Sequence, residues 1–120
     1  MRARCVRIVS PITGQTRAHA PYLTVGSEYT VIEMSVSGGA VTVRILDDQF
    51  KLPSIWPIDC FEMVQPRVPV NWALDVSEDL SLRFAPQAWL REGFWEDFFS
   101  DDPRALEDFR REVQVIGESD

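Results

Sequence analysis

Residues 29–46 read YTVIEMSV-SGG-AVTVRIL, and this stretch predicts a β-hairpin. Apolar and polar side chains alternate through its second arm, residues 40–46, with the period of two that gives a strand one apolar face. The Ser37-Gly38-Gly39 segment separates the arms, and its glycines supply the positive φ that tight hairpin turns require. The hairpin is the core of the predicted fold.

Shorter strand-like segments flank this hairpin. Residues 5–9 (CVRIV) predict a first strand and residues 60–64 (CFEMV) a last one. Residues 10–21 show no periodicity and indicate a loop, while residues 47–49 (DDQ) turn the chain into residues 50–52 (FKL). Prolines bracket residues 54–56 (SIW), which we expect to have limited strand pairing.

Two segments carry a resemblance to a known fold. Residues 23–31 (LTVGSEYTV) resemble the entry to the second strand of SH3-like barrels, and residues 56–64 (WPIDCFEMV) resemble the helical turn and final strand that close them. The resemblance covers residues 3–65 and implies a small antiparallel barrel. It does not extend to the aromatic platform that binds proline-rich peptides, so that function is not carried over.

The second half of the chain predicts a different kind of structure. After a proline-stiffened connector (66–71), residues 72–84 alternate like two short strands, either a separate hairpin or an added edge of the barrel. Helices are predicted at 87–99 and from Pro103, with Asp102 as N-cap. Four apolar residues of the second helix form one stripe: Leu106, Phe109, Val113 and Ile116. The prediction is one α+β domain over residues 1–120, with a helical tail at 86–116.

Charge is unevenly distributed along the chain. Residues 1–71 hold seven Lys/Arg against six acids, a net +1, and residues 72–120 hold five Arg against thirteen acids, a net −8. Direct nucleic-acid binding is not expected, because neutralising phosphates takes clustered Lys and Arg. A basic protein partner fits, because complementary fields accelerate association.

Membrane insertion and secretion are not expected from the sequence. No apolar run approaches the roughly 20 residues that cross a bilayer, and the apolar stretch near the N-terminus is interrupted at Arg7. Cys5 and Cys60 do not form a disulfide framework or a zinc motif, so we expect free buried thiols and a cytoplasmic protein.

Catalytic parts are not recognisable. His19 is the one histidine and lies in the predicted loop, and the chain has no Gly-x-Ser-x-Gly elbow or phosphate-binding glycine loop. Two acidic pairs, Asp47-Asp48 and Asp101-Asp102, suit a turn and a helix start respectively. We therefore expect no enzyme activity, no metal and no cofactor.

The most informative segment is residues 89–102, WLREGFWEDFFSDD, which holds five aromatic residues and five acids. Either all five rings pack the helices onto the sheet, or one or two are exposed beside the carboxylates. Exposed rings among acids are typical of a binding hot spot for a basic protein. Six residues form the predicted partner-binding site, with Trp95 as the apolar anchor: Glu92, Trp95, Glu96, Asp97, Asp101 and Asp102.

The overall type resembles small acidic bacterial immunity proteins, which bind and block a cognate toxin or nuclease. That resemblance implies an inhibitor that occludes a basic partner. The alternative is a phage-borne or regulatory accessory protein that binds a host protein or mimics nucleic acid. A third hypothesis is an SH3-like nucleic-acid or peptide reader that uses Trp56 and scattered arginines: Arg4, Arg7, Arg44 and Arg67. It is the weakest of the three, because those arginines are few and do not cluster.

Overall fold

A computed structural model describes residues 1–49 and 51–120. The described residues form nine strands: β1 (Arg2–Cys5), β2 (Ile8–Val9), β3 (Thr16–Arg17), β4 (Glu28–Ser37), β5 (Ala40–Leu46), β6 (Pro53–Pro57), β7 (Phe61–Gln65), β8 (Trp72–Val76) and β9 (Leu82–Pro86). Single 3₁₀ turns occur at Ile58–Cys60 and Gln87–Trp89, and two helices follow, α1 (Phe94–Phe99) and α2 (Pro103–Ser119). Phe50, which the sequence groups with Lys51 and Leu52, lies outside the described residues.

The predicted hairpin of residues 29–46 is the centre of the sheet. Its first arm, β4, is ten residues long and pairs with β5 along one side. Along its other side it pairs with two strands, β1 near its start and β9 near its end. A register shift between Val31 and Glu33 marks a bulge between these two halves. The long strand therefore belongs to both halves of the molecule.

The sheet is antiparallel and, with the two C-terminal helices, confirms the predicted α+β class. Its five-strand path runs β6-β5-β4-β1-β7, with β9 and β8 added beside β4. Within residues 1–49 and 51–120, no ladder joins β6 to β7, so the hydrogen-bonded sheet does not close.

Strand β6 corrects the expectation of limited pairing at residues 54–56. It pairs with β5 along all five of its residues, from Leu46↔Pro53 to Thr42↔Pro57. Proline is tolerated here because β6 is an edge strand. At positions where the backbone N–H of an edge strand would point away from its neighbour, replacing it with proline removes no hydrogen bond of the ladder.

The β8–β9 hairpin is an added edge of the sheet, which was one of the two structures predicted for residues 72–84. Strand β9 pairs with the end of β4 through Met34↔Phe84 and Val36↔Leu82. The hairpin thereby brings the acidic half of the sequence against β4, the central strand of the other half.

Apolar side chains fill two cores on opposite faces of the sheet. The first is built by strands β1, β4, β5 and β7 with neighbouring loops and includes Val31, Ile45 and Phe61. The second lies between the sheet and the helices and includes Ile32, Trp89 and Phe109. Adjacent residues Val31 and Ile32 thus point into different cores, as expected from the alternation of side chains along a strand.

Helix α2 begins and packs as predicted. The Asp102 side chain accepts a hydrogen bond from the Ala105 N–H, and Pro103 occupies the first turn. Phe109 and Ile116 of the apolar stripe are buried, and Leu106 and Val113 are half-buried against the same core. Among the described residues, no helix has the length and apolar character needed to cross a membrane.

Both cysteine thiols are free and buried in the first core. The Val9 N–H donates to Cys60 Sγ at 3.3 Å, and the Cys5 thiol donates to the Arg7 carbonyl at 3.4 Å. Burial raises the pKa of both thiols, because the thiolate loses its hydration in an apolar environment. Each thiol therefore stays protonated to higher pH in the folded chain than in the unfolded chain.

This difference predicts a loss of stability at alkaline pH. Above a pH of about 8.5 the unfolded chain loses thiol protons that the folded chain keeps, so the free energy of unfolding falls. Urea unfolding of the wild type and of Cys60→Ala at a pH of about 7 and about 9.5 measures this effect. The fall should be smaller in Cys60→Ala, and an equal fall in both proteins would show that Cys60 is not responsible.

Candidate protein-binding surface

The acidic aromatic segment, residues 89–102, folds as a turn and a short helix rather than one continuous helix. The predicted helix over 87–99 is interrupted at Gly93, which adopts φ 80° at the N-cap of α1. Asp101 has φ 62° and turns the chain from α1 into α2. Glycine adopts this left-handed conformation without strain, and Asp is among the few other residues that adopt it readily.

Most of the segment's aromatic rings belong to the second core. The Trp89 indole is fully buried between Phe94 and Phe109, with centroid distances of 6.0 and 5.4 Å and nearly parallel planes. Phe94 and Phe98 are also buried. These three rings are therefore unavailable to a partner in the folded chain.

Trp95, the predicted apolar anchor, is half-buried and contacts the sheet. The guanidinium carbon of Arg44 lies 3.9 Å from the centroid of its ring, a cation–π arrangement. Its indole N–H donates to Glu33 Oε1 at 3.4 Å. The ring thus fixes α1 to strands β4 and β5.

Glu33 is the centre of a charged network that the sequence pattern does not predict. Its side chain is 4% exposed and accepts from Arg44 Nε at 2.8 Å and from Arg83 Nη2 at 2.9 Å. Arg83 also donates to the Trp89 carbonyl at 3.3 Å. Burial lowers the pKa of Arg44, and the neighbouring Glu33 carboxylate opposes that shift. The sequence feature that could have indicated this network is the presence of Glu33 and Arg44 on the two arms of the same predicted hairpin.

Phe99 is the exposed aromatic of the segment, with 60% of its surface accessible. One of its sides packs against Phe98 at 5.0 Å, with planes nearly perpendicular, and against Trp95 at 6.1 Å. Its position is therefore fixed by the buried cluster while its outer face meets solvent.

The five predicted acids divide into two groups. Asp97 forms an ion pair with Arg91 at 2.9 Å, and Asp102 caps α2, so both serve the fold. Glu92, Glu96 and Asp101 are exposed, and within the described part of the chain none of their carboxylates forms an ion pair. These three surround Phe99 in the sequence.

A cleft of about 560 Å³ lies beside this surface, between the 3₁₀ turn after β9 and the start of α2. Charges of both signs line it: Arg91, Asp97, Asp102, Arg104 and Asp108. The structure therefore brings Asp97 and Asp102 together in the cleft and leaves Glu92 and Glu96 outside it.

His19 is exposed in the loop after β3, away from the acidic aromatic segment in sequence. No group of three or more His, Cys, Asp or Glu side chains is placed to hold a metal ion within residues 1–49 and 51–120. The exposed part of the segment consists of carboxylates and one aromatic ring, that of Phe99.

The Glu33 network predicts a large effect of Glu33→Ala on stability. The substitution leaves Arg44 buried without its counterion and should lower the free energy of unfolding by about 3 kcal/mol. Glu28→Ala is the matched control, because Glu28 lies on the same strand and pairs with two arginines, Arg2 and Arg4, at the surface. Its loss should be below about 1 kcal/mol.

Urea unfolding of both variants measures these losses. Equal losses in the two variants would show that the buried network contributes no more than a surface pair.

Comparison with protein-family models, curated proteins and solved structures finds no match to this chain.

Proposed function

We propose that this chain is a non-enzymatic protein-binding domain of the immunity type, which acts in the cytoplasm and occludes a basic toxin or nuclease. The observation that carries the proposal is that the segment exposes Phe99 together with three carboxylates that form no ion pair among the described residues: Glu92, Glu96 and Asp101. An apolar anchor within a polar, charged rim is the usual composition of a protein-binding hot spot.

The proposed mechanism is steric and electrostatic. Carboxylates of the surface pair with Lys or Arg side chains that otherwise hold phosphate, and Phe99 packs into an apolar depression between them. The long-range field of the acidic half, with a net charge of −8 over residues 72–120, accelerates the encounter. Binding then excludes the partner's substrate from its basic surface.

Residues 3–65 are the proposed scaffold, an SH3-like barrel left open between β6 and β7. The strand path β6-β5-β4-β1-β7 and the 3₁₀ turn at Ile58–Cys60 support this assignment. In this arrangement the barrel supports the helical tail through Glu33, Arg44 and Trp95 and does not itself bind the partner.

The geometry refines the choice of residues for the binding test. Reversing Asp97 or Asp102 would disturb an ion pair or a helix cap, so a loss of binding there would have two explanations. Reversal is therefore restricted to Glu92, Glu96 and Asp101. Among the aromatic residues, Phe99 replaces Trp95 as the anchor to truncate, because Trp95 also holds the fold together.

Charge reversal of the three unpaired acids to Lys should slow association with the partner. The partner is sought as the product of the adjoining gene, and it must be basic and lose its own activity when the chain binds. Stopped-flow mixing at low salt should show an association rate constant at least roughly tenfold lower for the triple variant.

The matched control reverses three exposed acids elsewhere, Asp59, Glu62 and Glu118, which changes the net charge by the same amount. Equal slowing by the two variants would mean that net charge alone matters and would contradict the proposed surface. An unaffected complex in the first variant would contradict it as well.

Truncation of the exposed ring should weaken the complex through faster dissociation. A central anchor contributes at least 2 kcal/mol in typical interfaces, so Phe99→Ala should raise Kd about 30-fold. The comparison variant is Ile12→Ala, which removes an exposed apolar side chain from the loop between β2 and β3. Titration calorimetry measures both, and a similar Kd for Phe99→Ala and wild type would remove Phe99 from the interface.

A further inference from the structure

The outer edge of the sheet at β8 is a second surface, separate from the acidic aromatic segment. Within the part of the chain that the structure describes, β8 pairs with β9 on one side and with no strand on the other. Unpaired strand edges invite pairing with another chain, and proteins usually protect them with proline, lysine or a covering loop. Edge strand β6 has proline at both ends, whereas β8 (WALDV) has neither proline nor lysine.

Hydrogen-bond directions show which backbone groups of β8 face outward. Pro86 lies opposite Trp72 and has no N–H to donate, and the Ser77 N–H donates to the Ser81 carbonyl at 3.0 Å. Antiparallel pairs alternate between bonded and non-bonded. The bonded pairs are therefore Ala73↔Ala85 and Asp75↔Arg83, and the N–H and C=O groups of Leu74 and Val76 point away from β9.

The side chains of the same two residues are exposed. Leu74 and Val76 are each 53% accessible and lie on one face of β8. That face continues across the sheet as a row of apolar residues in register: Val76, Leu82, Val36 and Val41. An added strand with apolar side chains at alternate positions would extend this row by one.

The opposite face and the hairpin turn are acidic. Asp75 lies opposite Arg83, but the Arg83 guanidinium binds Glu33, and no ion pair of Asp75 occurs among the described residues. Glu78 and Asp79 follow in the exposed turn. Lysine or arginine side chains on the same face of an added strand would therefore face the Asp75 carboxylate, a favourable cross-strand arrangement.

A second copy of this chain fits the edge poorly. In the antiparallel register that uses the outward backbone groups of both copies, Leu74 of one copy pairs with Val76 of the other. This register places the two Asp75 residues directly opposite each other. Like charges directly opposite one another destabilise a strand pair. Each copy also carries a net charge of −7, which opposes association.

We propose that β8 is a docking edge that takes up an extended segment of a partner protein, in which apolar residues alternate with Lys or Arg. Backbone hydrogen bonds to Leu74 and Val76 supply the pairing, the apolar row receives alternate side chains, and Asp75 selects basic ones. The proposal is independent of the surface around Phe99 and can fail without it.

The test uses the full chain, labelled with ¹⁵N, and a short synthetic peptide of alternating Val and Lys. On titration, the amides of Leu74 and Val76 should shift and become protected from hydrogen exchange. A peptide of alternating Val and Glu should not bind. The Val-Lys peptide N-methylated on its pairing edge should also not bind, because it keeps its charge but cannot donate hydrogen bonds.

Variants separate this edge from the acidic surface. Asp75→Lys should raise the peptide Kd roughly three- to tenfold, as expected for reversing one cross-strand charge pair. Leu74→Pro should abolish the protection, since it removes an outward N–H and leaves the ladder to β9 intact. Glu92→Lys should leave the peptide Kd unchanged.

Three results would overturn the proposal. One is equal binding of the N-methylated peptide, which would indicate attraction by charge alone. Another is perturbation centred on α1 instead of β8. The third is protection of the Leu74 and Val76 amides without peptide, together with self-association of the chain in sedimentation experiments. That result would make a second copy of the chain the occupant of the edge.

Discussion

The buried carboxylate of Glu33 links most of the parts of this molecule. Through Arg44 it connects the two arms of the central hairpin, and through Arg83 it connects them to the strand that enters the helical tail. Trp95 completes the arrangement with its indole on Arg44 and its N–H toward the same carboxylate. A buried acid is costly unless charged partners and hydrogen bonds surround it. The position of α1 on the sheet therefore depends on this one side chain.

Division of the aromatic residues follows from that constraint. With Trp95 held at the sheet, Trp89, Phe94 and Phe98 turn into the second core, and Phe99 is left on the outside of α1. Glu96 on the short helix and Glu92 before it are exposed, as Phe99 is, while Asp97 pairs with Arg91 and Asp102 caps α2. The exposure of Phe99 and of these carboxylates thus follows from how the segment packs its other aromatic rings.

The sequence predicted the local features of the fold better than the long-range ones. Alternation and the Gly38-Gly39 turn placed β4 and β5, and the helix cap at Asp102 and the α2 stripe were also correct, because each depends on neighbouring residues. The burial of Glu33 was not foreseen. A bulge shifts its register, and its second arginine lies 50 residues later in the chain. The break at Gly93 was missed because the apolar spacing on both sides suits one helix.

The shared strand β4 has a consequence for how the chain folds during synthesis. The start of β4 pairs with β1, and one edge of β4 pairs with β5, so these pairs can form once the first 65 residues are synthesised. The end of β4 pairs with β9, which is synthesised later. Until then Ile32 faces solvent and Glu33 has one of its two arginines. Non-local pairing of this kind is slow relative to hairpin closure. Residues 1–65 thus leave the ribosome with one face of the sheet exposed, and the helical tail covers that face when it follows.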